Sequence, residues 1–428
     1  MFVFRGRVPV HTILFTFMAI LLWASSSVAQ QRVPLTIAEA EDLATEQEPG
    51  QLSLLARAGA LQDEAIVTGE LPDPMLRIGL NNFPIESGGF TTEGMTHALV
   101  GVRQIFPAGD TRALSAARFG SLAAQMGENA ELRSRDVLTA VRNAWLDLYY
   151  WERARQRLVE SRPFFADLAT ITRSLYAVGR KSQQDVLRAE LELSRLDDRL
   201  IEIERQSSAA RAALGEWVGP HATRPVANKL PGWSQVPLLE SMQGMLFEHP
   251  LLRAADAGIE AREAGVSLAE QRSKPAWALD VGYSYREGSL PTGEPRSDMI
   301  SVVVTVGLPF FSKSSVDSTL SAALHESSAA KSSREKLVRS LSSRLAAEYA
   351  RWEDLGRRVD LYDRRILDQA RENAEASMLA YQSDQGDFAD VMRAYVDELN
   401  TRIDHVRLQV ERAKSYAALA NLGGFHDE

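Results

Sequence analysis

One stretch of the sequence occurs twice and decides the fold: residues 176–189 read YAVGRKSQQDVLRA, and residues 381–394 read YQSDQGDFADVMRA. Both copies fit the pattern Y-x8-D-V-[LM]-R-A, and they lie 205 residues apart. The same offset separates the AAL runs at 212–214 and 417–419. Several collinear matches at one offset indicate an internal duplication.

Prolines mark corresponding places in the two copies. Three prolines recur 201 or 202 residues later in the chain: Pro49, Pro74 and Pro107 have the counterparts Pro250, Pro275 and Pro309. Proline interrupts a helix and restricts the residue before it, so both copies are divided in the same way. We therefore predict two structural repeats, at residues 30–237 and 238–428.

Each repeat is predicted to contain two strands, a very long helix and a final helix. In the first repeat the strands lie at about 75–83 and 96–106, and the helices at about 111–177 and 183–215. In the second repeat the strands lie at about 276–286 and 298–308, and the helices at about 312–383 and 388–422. Glycine can close a helix in the left-handed conformation, so Gly215 and Gly423 are predicted helix ends, and Pro163 predicts a kink.

The long helices are the unusual element of both repeats. From Phe311 to the loop near Gly386 there is no proline, and most residues are good helix formers. About 70 residues at about 1.5 Å each would form a rod on the order of 100 Å. Leu337, Leu341 and Leu345 fall four residues apart, which is typical of a helix packed along a neighbouring helix. Long antiparallel helical hairpins are therefore predicted.

The strands alternate apolar and polar residues over about 9–11 positions, the length that a tilted strand needs to cross a bilayer. One such hairpin alone would favour a soluble sheet, but two hairpins mounted on long helices favour the membrane. Aromatic residues near the strand ends are candidates for a membrane interface: Phe106, Trp277, Tyr283, Tyr285, Phe310 and Phe311. Four strands cannot close a barrel, so copies of the chain must pool their strands. Three copies would give twelve strands, although two or four copies remain open by this argument.

The N-terminus has the pattern of a secretory signal peptide over residues 1–29. Arg5 and Arg7 precede an apolar run at 13–23, and small residues precede Gln30. A membrane anchor is the alternative, but the 11 residues of that run are too short to span a bilayer as a helix. Removal of the segment would change the net charge from −9 to −11.

Composition excludes several classes of protein. Hydrophobic residues make up 45% and charged residues 25% of the 428 residues, which is typical of a folded chain. The acidic balance argues against nucleic acid as a partner. Cysteine is absent, which excludes disulfides, thiolate metal sites and a lipidated N-terminal cysteine.

Catalytic and metal-binding motifs are also missing from the sequence. No G-x-x-x-x-G-K-[ST], H-E-x-x-H or G-x-S-x-G occurs, and the histidines are scattered without an i, i+4 pair. We expect no enzymatic activity, no cofactor and no metal site. Energy for any transport would have to come from a partner protein.

The construction resembles the TolC family of outer-membrane efflux channels over essentially the whole mature chain. The resemblance rests on the duplicated loop motif, on LTIAEA at 35–40 and on PDP at 72–74. GLNNFP at 79–84 and FPAGD at 106–110 are similar to the heavy-metal (CzcC-like) branch. The order and spacing of these motifs carry the resemblance.

The resemblance implies a mainly helical fold in which the duplicated hairpins form an α-barrel. It further implies a homotrimer with a twelve-strand β-barrel in the outer membrane of a Gram-negative bacterium, in contact with its lipid, and a tunnel across the periplasm. The implied partners are a periplasmic adaptor and an inner-membrane pump of the RND type, and the branch favours heavy-metal cations as cargo. The competing classes are a soluble periplasmic coiled-coil adaptor or structural protein and a secreted ligand-binding protein.

Two loops are the functional candidates. The first is similar to the family's V-G-x-x-S tip, which meets the adaptor, although Arg180 replaces the usual apolar residue there. The adaptor-contact candidates are Val178, Gly179, Arg180, Ser182 and Gly386. The second loop is acidic, and three copies of it would ring a tunnel mouth with carboxylates. The pore-gate candidates are Asp384, Asp387, Phe388 and Asp390. Ordinary turn and cap chemistry is the alternative, above all for Asp390 and its repeat partner Asp185.

Overall fold

The computed structural model of the protein describes residues 33–46, 48–309 and 313–425. The signal-peptide prediction at 1–29 and the aromatic candidates Phe310 and Phe311 lie outside the described residues. The described chain is mainly helical with one small antiparallel sheet, which confirms the predicted fold class at that level. No helix among the described residues is both long enough and apolar enough to cross a membrane.

The elements follow one another in the same order in both halves. The first half contains α1 (Ile37–Thr45), α2 (Pro49–Gly69), β1 (Met75–Asn81), β2 (His97–Phe106), α3 (Thr111–Ala177) and α4 (Gln183–Val218). The second half contains α5 (Leu239–Met245), α6 (Pro250–Gln271), β3 (Trp277–Tyr285), β4 (Met299–Val306), α7 (Lys313–Leu361), α8 (Leu367–Gln382) and α9 (Phe388–Gly423). Short 3₁₀ turns follow α4 and α5, at Gly219–Thr223 and Leu246–Glu248.

The helices differ from the sequence predictions in two places. The long helix predicted at 312–383 is interrupted by a π-helical segment, Tyr362–Ile366, between α7 and α8. Pro163, where a kink is predicted, lies inside α3, which is helical from Thr111 to Ala177. The helix predicted to end at Gly215 runs on to Val218, and Gly219 at φ +55° closes it instead. Val218 is buried, so the additional turn is stabilised by packing.

The four strands form a single antiparallel sheet in the order β1-β2-β3-β4. All four strands are shorter than predicted by up to three residues. Gly101 of β2 lies opposite Gly282 of β3, and a Cβ at Gly101 would lie 2.8 Å from the Val281 carbonyl oxygen. Glycine is therefore required at Gly101 for the close approach of the two backbones.

The two faces of the sheet have opposite chemistry. Register places on one face the apolar residues Leu76, Ile78, Val100, Val102, Val281, Tyr283, Ile300 and Val302, all of which are exposed. The other face carries a buried carboxylate, Asp280, which accepts a hydrogen bond from Arg77 at 2.6 Å and lies 3.8 Å from Arg103. A sheet packed in a soluble core would bury the apolar face and expose the charged one. We refer to the exposed apolar side as the apolar face.

The described chain forms two compact units. The first comprises the described residues up to Glu46 together with Val137–Gln235 and Ala350–Ala418, and the second comprises the remaining described segments. The core of the first unit is centred on Trp145 of α3, which is fully buried and donates a hydrogen bond to the Leu35 carbonyl oxygen at 3.0 Å. Leu35 in turn pairs with Val226 in a parallel bridge.

The second unit contains the sheet, and ion pairs connect its helices α6 and α7. Arg334 of α7 forms two hydrogen bonds with Asp256 of α6, and Lys331 of α7 lies 2.7 Å from Glu263 of α6. Its buried helical positions are mostly small residues, among them Ala254, Ala257 and Ala261. Small side chains allow close helix packing, and the surface pairs link α6 to α7.

Candidate functional site

The first candidate loop is a helix end built around glycine. Gly179 has φ +73°, and its N–H donates to the Tyr176 carbonyl oxygen, while the N–H of Arg180 donates to the Leu175 carbonyl oxygen. These two hydrogen bonds define a Schellman motif. The left-handed conformation therefore favours glycine at position 179, and the neighbouring Val178 is left exposed.

The second candidate loop repeats this turn with aspartate in place of glycine. Asp384 has φ +57°, its N–H donates to the Tyr381 carbonyl oxygen, and the N–H of Gln385 donates to the Ala380 carbonyl oxygen. Asp384 lies 205 residues after Gly179, which is the offset of the sequence duplication. Aspartate is among the few residues that tolerate the left-handed region. The two loops are therefore structural copies of each other.

Both loops then start a helix at equivalent positions. Ser182 caps α4 in a capping box, since its hydroxyl accepts from the Asp185 N–H at 3.2 Å and the Asp185 carboxylate accepts from the Ser182 N–H at 3.3 Å. Asp387, 205 residues after Ser182, directly precedes α9, and its carbonyl oxygen accepts from the N–H of Asp390. The cap interpretation of Asp185 is thus confirmed.

The side chain of Asp390 takes a different role from that of its repeat partner. It forms an ion pair with Arg393 one turn later, at 3.1 Å. Both Asp387 and Asp390 are exposed. Gly386 is half-buried and lies against Ala380, with a Cβ–Cβ separation of 3.1 Å if a methyl group were added.

A cluster of charges joins the two loops. Lys181 Nζ lies 2.8 Å from one Asp384 carboxylate oxygen, and Arg180 Nη2 lies 3.1 Å from the other. Lys181 also lies 4.4 Å from the ring centroid of Tyr381. We call these four residues the tip clamp. Hydrogen bonds from Lys181 and Arg180 hold the pKa of Asp384 below its usual value, and Asp384 in turn raises the pKa of Lys181.

Two members of the tip clamp were absent from the candidates chosen from sequence. Lys181 keeps only 16% of its side chain exposed, and Tyr381 is buried. The signal that could have found Tyr381 is its place at the head of the duplicated motif. Lys181 carries no such signal, because the second copy has Gly386 at the corresponding position.

Phe388 does not lie on the loop surface. It is 2% exposed and packs against Tyr381, with ring centroids 5.5 Å apart. Val391 and Met392 are buried with it, and this i, i+3, i+4 spacing is typical of the core-facing side of a helix. The pore-gate assignment of Phe388 is therefore corrected to a core role within the chain.

The aromatic candidates of the sheet lie at both ends of the apolar face. Phe106 and Trp277 are register partners, and their rings stack with centroids 4.0 Å apart. Tyr283 and Tyr285, at the other end of β3, are both half exposed. The aliphatic residues of the apolar face thus have aromatic rings on either side, which is the distribution of side chains at membrane interfaces.

Metal ligation has no candidate in the described part of the chain. No group of three or more His, Asp or Glu side chains is positioned to hold a metal ion there.

Comparison with known proteins gives matches to one family. A family model described as "Outer membrane efflux protein" matches residues 242–424. Comparison with curated proteins gave no match.

Solved structures match over most of the chain. The outer membrane protein VceC from Vibrio cholerae is 16% identical with a TM-score of 0.76, and the alignment covers 90% of this chain and 96% of VceC. The transmembrane channel CusC is 14% identical with a TM-score of 0.77, covering 92% and 94%. The open state of the MtrE outer membrane channel from Neisseria gonorrhoeae is 17% identical with a TM-score of 0.71, covering 91% and 88%. At these identities the matches establish a shared fold.

Proposed function

We propose that the chain forms the outer-membrane duct of a tripartite efflux system, on the premise that residues 242–424 match the model of the outer membrane efflux protein family. This match supports the resemblance predicted from the sequence and the outer membrane as the proposed location. The family is one of channels rather than enzymes, in agreement with the expectation from the sequence.

The observation that carries the proposal is the sheet. Its apolar face is exposed and its charged residues face the opposite side, which is the arrangement of a strand assembly with lipid outside and water inside. Strands β1 and β4 are its two edges, and an open edge in lipid leaves backbone groups without hydrogen bonds. Pairing these edges between copies would remove that cost, and three copies give a closed twelve-strand barrel.

The two candidate loops support the proposed contact with an adaptor and the proposed acidic pore mouth. Val178 and Arg180 are exposed on the first tip and are available to an adaptor protein, while Gly179 and Ser182 shape the turn. On the second tip, the exposed carboxylates of Asp387 and Asp390 remain the pore candidates. Asp384 is compensated by two cations, so its proposed role is to hold the two tips together through the tip clamp.

The proposed cargo is a heavy-metal cation, driven by an RND-type pump through a periplasmic adaptor. The support is the similarity of GLNNFP and FPAGD to the heavy-metal branch, together with the acidic second tip. Resistance profiles of a deletion strain distinguish the cargo classes: increased sensitivity to metal salts is expected, with dye sensitivity unchanged. The reverse pattern would contradict the metal assignment and leave the duct intact.

Membrane fractionation separates the duct from the alternative of a soluble coiled-coil adaptor. We expect the full chain to stay in the outer-membrane pellet after sodium carbonate washing and to run as a trimer in mild detergent. Release into the wash as a monomer would contradict the duct.

Substitution Asp387→Asn tests the acidic mouth in planar bilayers. Removing one carboxylate per copy should reduce the preference for cations, seen as a reversal-potential shift in a potassium chloride gradient. The matched control is Glu335→Gln. It removes an exposed carboxylate on α7 that pairs with Arg339 of the same helix α7. An unchanged reversal potential in Asp387→Asn would refute the role of Asp387 in the pore.

A further inference from the structure

The first unit contains a cleft with an unusual concentration of arginine. The cleft has a volume of about 500 Å³ and is bounded by α3, α8, α9 and the loop at Asn228. Its arginine, histidine and aspartate lining residues are Arg153, Arg157, Arg371, Arg402, His405 and Asp368. Four guanidinium groups and one carboxylate thus line this cleft, and we call this feature the arginine cleft.

The carboxylates that pair with these arginines lie mostly outside the arginine cleft. Arg157 pairs with Glu160 at 3.0 Å and Arg402 with Glu398 at 2.5 Å, each within one helix. Both glutamates line an adjoining cleft of about 270 Å³. Arg371 pairs with Asp368 at 3.0 Å within the arginine cleft, and Arg371 and Arg402 line both clefts. The lining of the arginine cleft thus keeps four guanidinium groups against one carboxylate.

Arg153 has no carboxylate partner among the described residues. Its Nη1 donates to the side-chain oxygen of Gln156 at 2.5 Å, and its guanidinium carbon lies 5.5 Å from the ring centroid of Tyr149. Its Nε is buried and has no hydrogen-bond partner in the described chain. A buried donor without a partner costs free energy unless an ion or water supplies an acceptor.

The wall contributed by α8 begins directly after the π-helical segment. Leu367 and Asp368 line the arginine cleft, and the preceding Asp363 lies 2.9 Å from His405 Nε2, outside hydrogen-bond geometry. Such segments are frequent at functional sites.

We propose that the arginine cleft binds a multivalent oxyanion of the phosphate type. The planar guanidinium group donates two parallel hydrogen bonds to such an anion, and several converging groups favour more than one negative charge. The volume suits a molecule larger than a single phosphate. The donor of Arg153 that lacks a partner would then have one. This site is independent of the transport function proposed above.

Calorimetry on the full-length protein in detergent tests the site with sodium pyrophosphate as the probe. Saturable binding is expected, and sodium chloride at equal ionic strength should give no such signal. Arg153→Gln and Arg371→Gln should each weaken pyrophosphate binding at least tenfold, because each removes charge-assisted hydrogen bonds. The matched control is Arg155→Gln. Arg155 lies on the same helix as Arg153, pairs with Glu204 at 3.1 Å and does not line the arginine cleft. The affinity of this variant for pyrophosphate should stay within twofold of the wild-type value.

Binding to vesicles that contain phosphatidylglycerol is measured in a second experiment, because a lipid headgroup also carries phosphoryl oxygens. Binding of pyrophosphate that requires Arg153 and Arg371 supports the proposal. Absence of saturable binding, equal losses in all three variants, or binding to vesicles alone would overturn it. Circular dichroism and the elution volume of each variant show that a loss of binding is not a loss of fold.

Discussion

Glu48 uses both carboxylate oxygens to hold the start of α2. One oxygen accepts from the Gln51 N–H at 2.5 Å and the other from Arg133 at 2.8 Å. The hydrogen bond from Arg133 is the main reason that the pKa of Glu48 falls from 4.5 to about 2, with the backbone N–H groups adding to it against the effect of burial. The folded state therefore favours the ionised form.

Substitution Glu48→Gln should lower the stability by about 1 kcal/mol at pH 7, the usual cost of weakening a helix cap. Because the folded-state pKa lies below the unfolded-state value, the contribution is fully present above about pH 4.5 and is lost as the pH falls toward 2. Thermal unfolding in detergent should show the difference between wild type and Glu48→Gln narrowing over that range. Glu335→Gln, on an exposed helix face, serves as the control, and a difference independent of pH would contradict the assignment.

Among elements, the end of α4 shows how packing overrides a sequence rule. Gly215 and Gly219 are one turn apart, and either could close a helix. Leu214 and Val218 are both buried, so packing extends the helix to Val218 and the helix ends at Gly219. Gly219 adopts φ 55° and ψ −133°, a conformation open to little besides glycine.

A pair of glycine substitutions tests this helix end. Gly219→Ala should cost about 1–3 kcal/mol through backbone strain alone, since an added Cβ would meet no atom within 4 Å. Gly215→Ala should be neutral or stabilising by up to about 1 kcal/mol, because the residue is helical and its Cβ would make an ordinary contact with Ala222 at 3.7 Å. The unfolding temperature should fall in Gly219→Ala and stay the same or rise in Gly215→Ala. Equal shifts in the two variants would contradict a helix end in the left-handed conformation at Gly219.

Local patterns in the sequence predicted the elements but not their contacts. The strands were predicted to within three residues at each end because alternation is visible in the sequence. The π-helical segment was not predicted, because residues 362–366 are as helix-forming as those around them. Phe388 is a pore-gate candidate in the sequence as part of the acidic second loop, although its spacing to Val391 and Met392 is typical of a core position. The tip clamp depends on a contact across 203 residues, from Lys181 to Asp384, which no local pattern reveals.

Adjacent residues of β4 offer a matched test of the two faces of the sheet. Val302 lies in the middle of the apolar face opposite Val281 and is 65% exposed, while the adjacent Ser301 points to the opposite side. Lysine on a lipid-facing strand costs about 2–4 kcal/mol near the bilayer centre. Val302→Lys should therefore reduce the amount of trimer in the outer-membrane fraction strongly, and Ser301→Lys should reduce it little. Equal tolerance of both lysines would show that the apolar face does not contact lipid.

For the molecule as a whole, the sheet determines what assembly is required. In the described sheet, β1 and β4 each have one edge without a partner strand, and within one chain they are separated by β2 and β3. Three strand spacings of about 4.8 Å place them about 14 Å apart. A disulfide needs a Cβ–Cβ distance of about 4 Å, so a covalent link between the two edges can form only between copies.

Cysteine cross-linking can use this separation, because the natural chain contains no cysteine. Val302→Cys on β4 would be combined in turn with Leu76→Cys, Ile78→Cys or Leu80→Cys on β1, all on the apolar face. At the correct register, oxidation should give covalent dimers and trimers on denaturing gels and no larger species, since three copies close the barrel. Each single-cysteine chain should stay monomeric under the same oxidation. Products beyond the trimer would indicate a different number of copies, and the absence of a link at every register would contradict pairing of the two edges.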